Sequence, residues 1–82
     1  MQITIRDLLH LNENWTRNFQ IFGYEHICKE FRRLVQCVGK AIADDNKVSI
    51  GTACRLPHET ELGPNALAAY ENLTTFMKPY TD

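Results

Sequence analysis

Eighty-two residues make one small domain and not two, since domains rarely fall below about 50 residues. The chain is 44% hydrophobic and 23% charged with a net charge of −1, which argues against disorder and against the strongly basic surface of a dedicated nucleic-acid binder. No apolar run reaches the roughly 18 residues of a membrane span, and the opening MQITIRDLLH lacks a secretion signal's unbroken apolar stretch, so the expected setting is the cytoplasm, with no membrane partner.

The first predicted element is a helix over residues 4–22. Thr4 with Asp7 three places on has the pattern of a helix start, where a hydroxyl and a carboxylate satisfy orphan amides. Ile5, Leu8, Leu9, Trp15, Phe19 and Phe22 then form an apolar stripe. Asn12 and Thr16 interrupt that stripe. A continuous helix with a buried polar pair is favoured over a break near Leu11–Asn14, and a buried Asn12 would fix register between packed helices. Gly23 is the expected stop, because glycine tolerates the left-handed cap.

The second predicted helix, residues 24–44, is the strongest signal. Ile27, Phe31, Leu34, Val38 and Ala41 repeat at helical spacing, while Lys29, Arg32, Arg33, Gln36 and Lys40 occupy the opposite arc. Leu34 sits mid-stripe, so truncating it is expected to cost about 2–5 kcal/mol. Asp44, Asp45 and Asn46 are expected to end the helix, since two carboxylates oppose the dipole there and favour a turn.

Residues 45–63 predict a long irregular or partly extended connection, with Val48 and Ile50 alternating between polar neighbours. The third predicted helix, residues 64–77, starts at Pro64 and stops at Pro79, with 80–82 as a frayed tail. Three helices, each with one apolar face, specify an all-α three-helix bundle occupying residues 1–82 as a single domain.

Cys28, Cys37 and Cys54 are an odd set. The first two are nine residues apart on one helix, about 13 Å of rise and beyond disulfide reach. Free thiols in a reducing compartment are expected. Cys54 and His58, four residues apart, have the residue types of a nucleophile and its base or of two zinc ligands. His10, His26, Cys28 and Cys37 complete no CxxC or HxxxH spacing. No phosphate loop, dinucleotide fingerprint, HExxH or GxSxG occurs, and Glu59 with Glu61 reads as a solvated loop. The expectation is no enzyme, no cofactor and no metal.

Residues 1–43 carry six basic and four acidic side chains, and residues 44–82 three and six. This mild polarity suits steering toward a protein partner or a second copy packed head to tail. Leu11, Ile21 and Tyr24 exceed what three helices can bury, and exposed apolar surface marks partner sites. The expected function is a small non-catalytic protein-binding module, regulatory, inhibitory or accessory, acting as a homo-oligomer. Its contact residues are expected to be Trp15, Ile21, Phe22, Tyr24, Arg32, Arg33, Val48, Ile50 and Arg55. The extended 47–55 backbone would add to a sheet edge or drape over the bundle. Two alternatives stand beside this: a helix-turn-helix-like DNA regulator reading with Arg32 and Arg33, and a zinc- or thiol-dependent protein.

Overall fold

The computed structural model of the chain describes residues 3–81. Among the described residues four helices follow one another: α1 (Ile5–Phe22), α2 (Glu25–Asp45), the single turn α3 (Ile50–Ala53) and α4 (Pro64–Thr81). No strand is present among the described residues, only an isolated antiparallel bridge between Thr4 and Glu61. The chain is the expected small all-α bundle.

α1 starts where its first orphan amides find acceptors. The Thr4 backbone N–H donates to Asp7 Oδ2 at 2.9 Å, and the Thr4 hydroxyl donates to the same oxygen at 3.3 Å. The next two amides are satisfied from far along the chain: Ile5 N–H by Thr60 C=O at 3.0 Å, and Arg6 N–H by His58 C=O at 2.9 Å. The connection 58–62 therefore runs antiparallel beside the start of α1, with Leu62 N–H reaching Ile3 C=O at 2.8 Å and Arg6 paired to Glu59.

Asn12 and Thr16 do not break α1. They are half-buried, and the Thr16 hydroxyl donates to Asn12 Oδ1 at 3.3 Å. The pair lies beside Glu13, Arg17 and Gln20, so Asn12 is satisfied within its own helix and is not a buried register device.

α2 is the hub. It packs most extensively on α4, and also on α1 and α3. Phe31 and Val38 are fully buried, joined by Cys28, Ile42 and Ala43, while Leu34 is only half-buried. Phe19 of α1 meets Phe31 edge-on at 5.5 Å, and Leu73, Met77 and Ala66 of α4 complete the core.

Three local readings are corrected. Residues 50–53 form a helical turn rather than extended backbone, because Ser49 caps it: Thr52 N–H donates to Ser49 Oγ at 3.2 Å. α2 continues through Asp45 and is closed by Asn46, whose side-chain amide donates to Ile42 C=O at 2.8 Å. Finally, α4 passes Pro79 and reaches Thr81. Pro79 gives up its own hydrogen bond and crowds the carbonyl four residues back, and beyond it Tyr80 packs edge-on against Phe19 with ring centroids 5.5 Å apart. Asp82, the end of the expected tail, lies outside the described residues.

Candidate interaction surfaces

The turn between α1 and α2 is built by two backbone bonds. Gly23 adopts φ 75° and donates to Gln20 C=O at 3.2 Å, while Tyr24 N–H donates to Phe19 C=O at 2.9 Å. This is the paired bonding of a Schellman cap, completed by the apolar contact it usually carries: the Tyr24 and Phe19 rings lie 6.4 Å apart. So tight a reversal leaves the final turn of α1 projecting beyond the bundle. Ile21 is 71% exposed and Phe22 67% exposed, and Tyr24 is also exposed.

Behind these residues lies an aromatic chain. Phe22 stands 6.1 Å from Tyr24, Tyr24 6.4 Å from Tyr80, and Trp15 5.6 Å from Phe19. A shallow cavity of about 260 Å³ opens among Trp15, Phe22, Tyr24, Pro79 and Tyr80. Pro79 and Tyr80 were missed as part of this surface. The signal was present in the spacing of Leu73, Phe76, Met77 and Tyr80, which continues the α4 stripe past the proline.

The remaining expected contact residues divide. Arg32 lies near the tip, lining a depression with Phe19, Gln20 and Gly23. Arg33 faces elsewhere, toward Gln36, Cys37, Lys40, Ile50 and Cys54. It is paired with Glu30; that hydrogen bond holds the Glu30 carboxyl below its ordinary range and raises the Arg33 guanidinium above its own. Ile50 is 55% exposed in the same region. Val48 is half-buried against the core, and Arg55 is exposed in the turn after α3. Tip and Ile50 region are thus two surfaces. Fourteen residue steps along α2, from Glu25 to Gly39, separate them by about 21 Å of helical rise.

Sheet-edge addition by residues 47–55 has no template. Val48 N–H is taken by Ala43 C=O, Ala53 N–H by Ser49 C=O and Cys54 N–H by Ile50 C=O, all at 2.9–3.1 Å. Val48 and Leu56 instead cover the core.

Cys54 and His58 line one cavity of about 250 Å³, otherwise apolar. Among the described residues no group of three or more His, Cys, Asp or Glu side chains is arranged to hold a metal ion. Cys37 and Cys54 are exposed free thiols and Cys28 is a buried one. No helix among the described residues is long and apolar enough to cross a membrane. Comparisons with protein families, with curated proteins and with solved structures found no match.

Proposed function

We propose that the chain is a small non-catalytic binding module that occupies a surface of another protein, in a regulatory, inhibitory or accessory role. The observation that carries this reading is the tip. Ile21 and Phe22 adjoin Tyr24 and are more than two-thirds exposed in a chain with few large side chains to spare for solvent. Contiguous exposed apolar surface marks partner sites, and aromatic residues are favoured interface anchors. The fold holds the tip rigidly through the Gly23 cap, so little ordering entropy opposes binding. Two exposed free thiols fit work in a reducing cytoplasm.

The DNA-binding alternative has less support. Its expected reading residue Arg33 is engaged by Glu30, and the net charge is −1. Two measurements separate the classes. Sedimentation equilibrium and a low-salt gel shift are run on the native chain and on a Phe22→Ser variant. A protein module leaves duplex DNA unshifted, and if its partner is a second copy, self-association is lost with Phe22→Ser. Duplex binding that weakens steeply with salt overturns the reading.

A further inference from the structure

Charges of both signs stand beside the apolar tip, in the depression where α1 and α2 run together. Glu25, Lys29 and Arg32 of α2 line one part of it, and Glu13 and Arg17 of α1 line the other. Gln20 and Arg32 line both parts, so the two form one surface. All five charged side chains are exposed, and among the described residues none of them makes an ion pair. The chain closes its ion pairs elsewhere, between Arg6 and Glu59 and between Glu30 and Arg33.

Arg32 is the informative residue. Glu13 stands four places before Arg17 and Glu25 four before Lys29, so each carboxylate has a cation within reach on its own helix. Arg32 has no such neighbour: the positions three and four away are Cys28, Lys29, Val35 and Gln36. Glu25 shares its stripe of α2 but lies two turns off, about 10 Å along the axis.

The mixture of signs selects the occupant. A uniformly acidic partner would satisfy the three cations and repel Glu13 and Glu25, and a basic partner would do the reverse. A two-fold axis sets a surface against itself, so that wherever residue i meets residue j, j also meets i. Antiparallel copies of α2 then place each Arg32 against the other copy's Glu25. Lys29 lies near the axis, where its flexible stem carries the ammonium out to water. The exposed Ile21 and Phe22, next to the start of the same stripe, supply the apolar area. A net charge of −1 opposes self-association very little.

We infer that the tip binds a second copy of this chain in a two-fold dimer, with Arg32 of each copy against Glu25 of the other. The inference rests on the tip reading and narrows its partner to one occupant. The contact is short, two turns of α2 and the end of α1, and falls at the low end of specific interfaces. The dimer is therefore expected to exchange with monomer at micromolar concentration.

Sedimentation equilibrium of the native chain from about 1 μM to about 1 mM tests this. A monomer–dimer equilibrium is expected, weakened roughly tenfold or more by each of Phe22→Ser, Arg32→Glu and Glu25→Arg. Arg32→Gln, which removes the charge without reversing it, should weaken the dimer less. Far-ultraviolet circular dichroism should be unchanged in all four variants, since every substituted side chain is exposed. Mixing is the decisive arm. Equal amounts of Arg32→Glu and Glu25→Arg should recover the dimer, because both contacts of the mixed pair then join opposite charges. A pair closed within one chain gives no such recovery. A native chain that stays monomeric throughout overturns the inference and leaves the tip to a partner of another kind. Association that ignores Phe22→Ser, ignores both charge reversals or fails to recover on mixing overturns it as well.

Discussion

The carboxylate of Asp45, the last residue of α2, accepts the backbone N–H of Ala66 in the first turn of α4 at 2.9 Å. The same carboxylate fills the space beside Gly63, where a Cβ would stand 2.7 Å from Asp45 Oδ2. A residue unfavourable at the end of its own helix is thereby favourable at the start of another, where the dipole has the opposite sign. Gly63 C=O in turn accepts Leu67 N–H at 2.8 Å, fixing the start of α4.

Removing that cap should loosen α4. Asp45→Ala is expected to lower stability by about 0.5–2 kcal/mol, and Asp45→Asn by less, since asparagine also caps. Gly63→Ala should cost about 1–3 kcal/mol by crowding Asp45. In an Asp45→Gly background most of that crowding cost should vanish. Urea unfolding of the four chains of this double-mutant cycle measures the coupling; additive costs would contradict it.

Gly23 tests the rigidity of the tip. Its Cβ position is open, so Gly23→Ala meets no clash, and its cost comes from the positive φ alone. About 1–2 kcal/mol is expected in thermal unfolding. A neutral or stabilising effect would mean that the turn is not held in the left-handed conformation.

Two leucines separate the core from its margin. Leu73 is fully buried, so Leu73→Ala should cost about 2–5 kcal/mol by leaving a cavity. Leu34 is half-buried, and Leu34→Ala should cost clearly less than Leu73→Ala in the same urea titration. Equal costs would place Leu34 in the core, as its mid-stripe position alone implies.

That pair shows how the sequence was legible and where it was not. Helical periodicity identifies the α2 rod and the α4 stripe, because 3.6-residue spacing is a property of one segment. It cannot say which part of a stripe is covered most deeply, which depends on where α4 and α1 cross. The exposed Ile21 and Tyr24 were legible as residues that three helices cannot bury; Leu11, expected with them, packs half-buried against the core, and Phe22, read as part of the apolar stripe, is exposed. The role of Asp45 was not legible, because its partner is twenty-one residues away across a loop. The segment around Val48 and Ile50 differs for another reason: the two alternate as in a strand, but the Ser49 side chain caps a helical turn by accepting the Thr52 N–H.

Tyr70 gives the chain a pH signature. Burial of the half-buried ring raises its phenol above the ordinary value of 10.0, and the charge of Asp7 adds to this. The folded state therefore favours the neutral phenol. That contribution is complete below pH 10.0 and is lost as pH rises through the raised value. Stability measured by urea titration should fall more steeply with alkaline pH in the native chain than in Tyr70→Phe. Parallel curves would contradict the shift.

The account stands or falls on whether the projecting end of α1 holds a partner. Ile21→Ser with Phe22→Ser should change folding stability by only about 0.5 kcal/mol at each exposed site. Native and doubly substituted chains, both shown folded by circular dichroism, are used as parallel baits in lysate of the native host and compared by quantitative mass spectrometry. The account predicts a protein retained by the native bait and depleted roughly tenfold or more by the substituted one, a difference of about 1.4 kcal/mol or greater. Identical recoveries from the two baits would contradict it.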